Sequence, residues 1–290
     1  NNAGLINDLI TADIDKDGSV EVIAACEWGP VRIFSNNNGT LEELTSKWGL
    51  SNHKGWWNSL SAADLDNDGD IDLIATNYGL NTKYKATEEK PELLYYSDFD
   101  RSGANDIVEA KYEGDAIVPR RGFSCSQLAM PFLKEKLKTF HNFASSNLET
   151  IYSPSKLAES KKYEVNTLEH TVLMNEGSHF KSVKLPREAQ IAPSFGSEIV
   201  DIDNDGILDI VLAHNFFSPQ RETGRMDGGL SLVLKGKGDC TYTALPQSVS
   251  GIAISGDTRK VTAIDLDGNG TKEITFAQNN GSVIIYSKKR

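Results

Sequence analysis

Cysteine is scarce in this chain: Cys26, Cys125 and Cys240 are the only three among 290 residues. Three thiols so widely spaced exclude a disulfide framework or a zinc site and leave room for at most one internal pair. Long apolar runs are missing too, none approaching the roughly eighteen residues that a membrane-spanning helix needs. Basic residues are in the minority, 30 Lys and Arg against 41 Asp and Glu, for a formal net charge of −11. Without a basic stripe there is no basis for a nucleic-acid partner. No serine or cysteine nucleophile stands beside a base, and no paired carboxylates stand out, so no catalytic residue is assigned. The opening Asn1-Asn2-Ala3 has neither methionine nor a signal-like segment and reads as the start of a mature or trimmed product.

What the chain does have is a nine-residue pattern, repeated five times. An acid or its Asn/Ser substitute holds positions one, three and five, glycine holds position six, and an acid holds position nine. The copies are Asp13-Ile-Asp15-Lys-Asp17-Gly18-Ser19-Val-Glu21, Asp64-Leu-Asp66-Asn-Asp68-Gly69-Asp70-Ile-Asp72, Asp98-Phe-Asp100-Arg-Ser102-Gly103-Ala104-Asn-Asp106, Asp201-Ile-Asp203-Asn-Asp205-Gly206-Ile207-Leu-Asp209 and Asp265-Leu-Asp267-Gly-Asn269-Gly270-Thr271-Lys-Glu273. Calcium takes six to eight oxygen ligands, so alternate carboxylates on a tight loop can converge on one ion, with the carbonyl of position seven adding another. Glycine permits the turn. Nearly half of the acidic residues lie in these loops, and five calcium ions would almost cancel the net charge of −11.

An EF-hand would need a bidentate Glu at position twelve. The chain has Ala24, Ala75, Glu109, Leu212 and Phe276 there, so only the third loop complies. The flanks are short apolar runs such as Val20-Glu-Val-Ile-Ala-Ala25 and Ile207-Leu-Asp-Ile-Val-Leu212, which read as buried strands. The expectation is therefore a strand-flanked calcium loop, with four to five ions per chain. Ser102 and Asn269 replace an acid at position five, so loops three and five should bind more weakly, because affinity follows ligand charge.

Spacing predicts an all-β fold, a β-propeller of about five blade units in one domain spanning 1–290. The units fall at about 5–50, 56–90, 92–188, 195–248 and 252–290. The first is the clearest, four short strands with an Asn38-Gly39 hairpin turn of type I′. The unit at 56–90 reads as abbreviated. The one at 92–188 reads as enlarged by a helical insertion at about 124–160, with apolar residues from Leu128 and Phe140 to Ile151 at helical spacing, and its expected role is to cover the abbreviated unit before it. The fifth lacks an outer strand, as if the chain were cut from a longer protein or closed through a partner.

These loops resemble FG-GAP or VCBS-type repeats, the calcium-binding blades also found in integrin α-subunits. Three stretches are more specific: Trp56-Trp-Asn-Ser through Asn81-Thr-Lys83, Met130-Pro-Phe-Leu-Lys-Glu-Lys-Leu137, and His214-Asn-Phe-Phe217 with Gly224-Arg-Met-Asp227. Together they resemble the C-terminal propeller of the cartilage-acidic-protein-like, ASPIC/UnbV-associated family of secreted bacterial proteins. That resemblance implies a secreted or surface-attached protein and no known reaction.

In such a blade the loop between the second and third strands leaves the face opposite the calcium. There the sequence places Trp28, Asn77, Tyr78, Asn81, Lys83, Tyr84, His214, Asn215, Phe216, Phe217, Arg221, Arg225 and Gln278, joined by His53, Trp56 and Trp57. Of these, Trp57, Asn77, Asn81, Lys83, His214, Arg221 and Arg225 are the candidate ligand contacts, since aromatics mixed with amides and cations suit sugar or peptide. The function expected is an extracellular, calcium-stabilised, non-catalytic binding or adhesion module for a glycan or an extracellular protein. Two alternatives stand beside it. One is a calcium-dependent polysaccharide lyase with His53, Lys83 or His214 as base. The other is a surface filament whose incomplete last blade is completed by the next copy.

Overall fold

The computed structural model describes residues 4–288, so the Asn1–Ala3 opening and the last two residues lie outside the described chain. The fold is mostly β. It divides into two compact units, the first made of the chain up to Lys83 and from Leu168 onward, the second of Tyr84–Thr167. This replaces the single domain expected from sequence.

In the first unit, β1 (Leu5–Ala12), β2 (Glu21–Pro30), β3 (Arg32–Asn37) and β4 (Thr40–Glu43) form an antiparallel sheet in chain order. A further strand, β5 (Lys54–Trp56), adds to β2. The β3–β4 turn has φ of 50° at Asn38 and 86° at Gly39, the two left-handed residues of a type I′ hairpin.

The second sheet opens with β6 (Ser59–Ala63) and β7 (Asp72–Thr76), and there the chain departs into the other unit. That unit holds β8 (Glu92–Ser97), β9 (Asp106–Glu113), β10 (Ala116–Pro119) and β11 (Lys161–Val165), in sheet order β10-β9-β8-β11. Between β10 and β11 run five short helices: α1 (Phe123–Ala129), α2 (Phe132–Leu137), α3 (Phe140–Ala144), α4 (Leu148–Tyr152) and α5 (Pro154–Glu159). The expected long amphipathic helix is broken up for local reasons. Pro131 and Pro154 cannot continue a helix from the preceding turn. Thr139 and Asn147 instead start new ones, accepting hydrogen bonds from the Asn142 and Thr150 amides.

The helices also cover something other than expected. Phe123, Leu133, Leu137, Phe143, Leu148 and Ile151 pack with Leu93, Tyr95 and Val108 of their own unit's sheet and with Phe99 of its acidic loop, while Leu128 and Phe140 are exposed. The second sheet needs no cover, because it is not abbreviated. When the chain returns, β12 (Thr171–Asn175) pairs with β7, Thr171 opposite Ala75 and Leu173 opposite Leu73, and β13 (Phe180–Lys184) pairs with β12. Strands assigned by sequence to unit 92–188 thus complete the unit begun at residue 56. The insertion between them is a whole sheet with its own acidic loop.

The last two sheets of the first unit are β14 (Ser194–Val200), β15 (Asp209–His214), β16 (Leu232–Gly236), β17 (Tyr242–Ala244), and then β18 (Thr258–Ile264), β19 (Glu273–Gln278), β20 (Ile284–Tyr286). A four-residue helix, α6 (Gln247–Ser250), joins them. As expected from the sequence, the final sheet has only three strands among the described residues.

Strand periodicity builds the core of this unit. Alternate residues of a strand point to opposite faces, so Leu73 and Leu173 meet Ile23 and Ile33 of the first sheet. Their neighbours Ile74 and Val172 meet Ile210, Leu212 and Leu234 of the third. On the other face of that sheet, Val211, Ala213 and Val233 meet Val261, Ile274 and Phe276. The two middle sheets are buried on both faces, which explains why their strands read as continuous apolar runs.

Candidate metal loops and the opposite loop face

The five acidic loops share one internal construction. The position-one carboxylate (Oδ2) accepts from the position-six glycine amide at 3.0, 2.9, 3.0, 2.8 and 2.9 Å in chain order. The position-nine carboxylate accepts from the position-two amide at 3.1, 2.9, 3.1, 3.0 and 2.9 Å. The side chain at position five accepts from the amide at seven, including Ser102 Oγ and Asn269 Oδ1. Each glycine at position six has φ between 84° and 88°, a region that costs other residues strain. Position four is left-handed as well, at Lys16, Asn67, Arg101, Asn204 and Gly268.

The acidic side chains of the loops also converge. Asp13, Asp15 and Asp17 bring one ligand atom each within 4.8 Å of one another, as do Asp64, Asp66 and Asp68, then Asp98, Asp100 and Asp106, and Asp201, Asp203 and Asp209. Position nine is interior: Glu21, Asp72, Asp209 and Glu273 are buried. Burial pushes the carboxyls of Glu21, Asp72, Asp106 and Asp209 above their usual range, as it must for charge withdrawn from water. Asp13 Oδ1 and Asp15 Oδ1 are buried with no hydrogen-bond partner among the described residues. An orphaned carboxylate oxygen is costly unless a cation faces it. Oxygen-only donor sets with buried, repelling carboxylates suit a hard divalent cation such as calcium.

The loops are not otherwise alike. Lys16, at position four of loop one, reaches Asp70 of loop two at 2.6 Å, and Lys47 lies 3.5 Å from Asp15 Oδ2. In loop two, buried Cys240 lies 3.6 Å from Asp72 Oδ2, and burial, Asp72 and Asp66 push its thiol well up. Cys240 therefore stands there as a neutral donor, a neighbour that spacing gave no means of finding. All three cysteines are thiols.

At the other end of the first unit's sheets, the second strands finish where the first strands begin: Ser194 lies opposite His214, and Thr258 opposite Gln278. An aromatic row crosses this end. Trp28 meets Trp56 edge-on at 5.0 Å, Trp56 meets Tyr78 at 4.8 Å, Tyr78 meets Phe216 at 6.1 Å, and Phe216 meets Phe195 at 5.1 Å. The Arg259 guanidinium covers Phe195 at 4.0 Å and Phe216 at 4.7 Å and pairs with buried Asp257 at 2.9 Å. Trp28 has φ of 58°, a strained conformation for a bulky residue and one that collects at functional sites.

Of the seven candidate contacts, three are interior. Trp57, Asn77 and His214 are fully buried. Trp57 packs against His53 at 5.2 Å, and Asn77 receives the Trp56 and Tyr78 amides while donating its own amide to His170 Nδ1. These residues hold the strands together and are withheld from a ligand. Asn81, Lys83, Arg221 and Arg225 are exposed. Asn81 donates to the Ile191 carbonyl at 3.1 Å and Lys83 to that of Glu222. Arg225 lies 3.5 Å over Phe217 and pairs with Asp227. Phe195 and Arg259 join this face from the starts of β14 and β18, whereas the sequence expectation drew on the ends of second strands. With His214 interior, one of the three bases considered for a lyase is out of reach of substrate.

A profile of the FG-GAP-like repeat matches residues 13–75, spanning loops one and two. No curated protein matches. Among solved structures, the chain is similar to a Bacillus licheniformis rhamnogalacturonan lyase, at 12% identity over 93% of this chain and 39% of that one, with a TM-score of 0.36. It is similar to the rhamnogalacturonan lyase YesW at 13% identity, over 96% of this chain and 41% of that one, with a TM-score of 0.32. BBS1N, solved in complex with ARL6DN, aligns at 10% identity over 98% of this chain and 79% of that one, with a TM-score of 0.23. The chain thus spans about two fifths of the length of each lyase. No helix among the described residues is long and apolar enough to cross a membrane.

Proposed function

We propose that the chain is a calcium-stabilised, non-catalytic binding module whose sheets are propeller blades, and that it recognises a glycan or an extracellular protein on the face opposite the calcium loops. The observation that carries this reading is the division of labour within each sheet of the first unit. One end carries the acidic loop, and the other gathers aromatic rings from the first three sheets and, from the fourth, the Arg259 guanidinium that covers two of them. A cage for calcium would be formed by the side chains of positions one, three, five and nine with the carbonyl of position seven, those of Ser19, Asp70, Ala104, Ile207 and Thr271. Bound calcium would supply the charge that lets these buried carboxylates stay ionised, and its effect is on stability.

An extracellular setting, secreted or at the cell surface, agrees with the calcium concentration such loops require and with the resemblance of Trp56–Lys83, Met130–Leu137 and His214–Asp227 to secreted bacterial proteins. On the recognition face, half-buried Trp28, Tyr78 and Phe216 offer ring faces and edges, and the segment from Phe217 to Arg225 supplies exposed donors. Rings of this kind contribute large contact area at low entropic cost.

The test has two arms. The melting temperature is measured with excess calcium and with chelator, alongside the calcium content; a marked fall on chelation with about four to five ions bound is expected, and an unchanged melt without ions would sink the calcium reading. Binding to immobilised glycans and extracellular-matrix proteins is then compared between the chain and a Tyr78→Ala variant. Loss of binding in the variant, with the calcium response kept, supports the face; equal binding places recognition elsewhere.

A further inference from the structure

The third strand of each sheet passes beside the acidic loop, and the residue opposite the position-nine acid differs among them. From Ile210 opposite Leu234, one step further sets Asp209 opposite Lys235. The same step sets Glu21 opposite Ser35, Asp72 opposite Met174 and Glu273 opposite Ser287. Only loop four of these faces a cation. The Lys235 ammonium lies 2.6 Å from Asp203 Oδ1, 2.7 Å from Asp205 Oδ2 and 3.6 Å from Asp209 Oδ1. Those are positions three, five and nine, the carboxylates that would face a metal. Gly236 fixes the strand there, its amide donating to the same Asp209 oxygen at 2.9 Å.

No other loop is filled in this way among the described residues. Lys16 touches Asp70, whose side chain is not in the cage, Lys47 lies 3.5 Å from one loop-one carboxylate alone, that of Asp15, and in loop three Lys156 donates to the Asp98 carbonyl. Loop one is the opposite case, with Asp13 Oδ1 and Asp15 Oδ1 left unpartnered.

We infer that loop four carries its own cation: Lys235 occupies the carboxylate cage, so calcium enters only by expelling the ammonium, and this site is the weakest of the five although its sequence is among the richest in acid. The inference rests on the calcium reading of the loops. Ammonium brings one positive charge and three donors where calcium takes two charges and six to eight ligands. Calcium therefore displaces it at high concentration, and the departing lysine stays tethered nearby, opposing the ion. Ligand charge alone would have put the weak sites at loops three and five; the third strand overrides that order.

The experiment is a calcium titration by calorimetry of the whole chain and of Lys235→Met, with acetylation of the unsubstituted chain mapped by peptide mass. In the parent chain one ion is expected at least about tenfold weaker than the rest, and Lys235→Met should bring it into the tight class. Lys235 should resist acetylation in chelator and become several-fold more reactive in millimolar calcium. Unchanged affinities in the variant, with other sites binding normally, overturn this inference alone. Absence of calcium binding in both chains overturns it together with the calcium reading. Should the variant fail to fold, the acetylation decides: reactivity independent of calcium refutes the lysine's displacement.

Discussion

Asn175 ties the first acidic loop to the second: its Nδ2 donates to the Ile14 carbonyl at 2.9 Å, while its backbone amide donates to Asp72 Oδ1 at 2.8 Å. Ile14 is position two of loop one and Asp72 position nine of loop two, so one buried residue on β12 touches both loop walls, the first through its side chain and the second through its backbone. The same side chain reaches the Ile71 carbonyl and receives the Gly177 amide. Asn175→Ala leaves several of these groups unsatisfied in the interior and should cost about 2 kcal/mol. Urea unfolding checks the loss, and calcium titration should show loops one and two both weakened; a change confined to stability would mean the loops do not communicate through this residue.

In the second unit, Arg120 pairs with Glu92 through Nε at 2.9 Å and through a second nitrogen, with both side chains nearly buried. Glu92 also receives the Lys85 amide, and Arg120 covers the Tyr84 ring at 4.5 Å. Removing one partner strands the other charge away from water. Glu92→Ala should therefore destabilise this unit by about 3 kcal/mol, seen as a lower midpoint in denaturant. Replacing both residues by apolar ones of similar size should recover much of that loss.

The loops were legible in the sequence because every residue in the motif has a job inside nine residues: Asp13 receives Gly18, Glu21 receives Ile14, and Gly18 supplies the left-handed turn. The strands were legible because the two faces of each middle sheet take alternate residues. What could not be read is which sheet a strand joins. Leu173 is as good a partner for a strand beside it in sequence as for Leu73, and a chain that leaves one sheet, builds another and returns keeps the same local pattern. The ligand face was half legible for a related reason. Trp57, Asn77 and His214 lie at strand ends like their exposed neighbours, and only tertiary packing decides that they are interior.

Asp15 separates the metal role of loop one from its structural role. Asp13 and Glu21 hold the Gly18 and Ile14 amides, whereas Asp15 has Oδ1 unpartnered and Oδ2 3.5 Å from Lys47 among the described residues. Asp15→Asn should leave the melt in chelator nearly unchanged and reduce the stabilisation by saturating calcium by about 1–3 kcal/mol. Asp13→Asn should lower both. Equal behaviour of the two variants in differential scanning calorimetry would mean that Asp15 is not a ligand.

His170 and His214 stack at 6.3 Å between ring centres, both fully buried. Burial holds the His170 pKa down to about 4, with its bond to the Ala192 carbonyl opposing; burial and then His170 hold that of His214 down to about 3. A histidine depressed on folding binds its proton more readily when unfolded, so its stability contribution is complete above the unfolded value, near 6.5, and is lost as pH falls below it. By pH 5 each ring alone should withdraw about 2 kcal/mol. His170 makes bonds through both nitrogens, to the Asn77 amide and the Ala192 carbonyl, whereas neither nitrogen of His214 makes a well-formed bond among the described residues. His214→Leu should thus be nearly neutral at pH 7.5 and more stable than the parent at pH 5. Denaturant midpoints across that range, taken in chelator to keep calcium linkage out, decide it; parallel pH profiles for parent and variant would show that the acid sensitivity arises elsewhere.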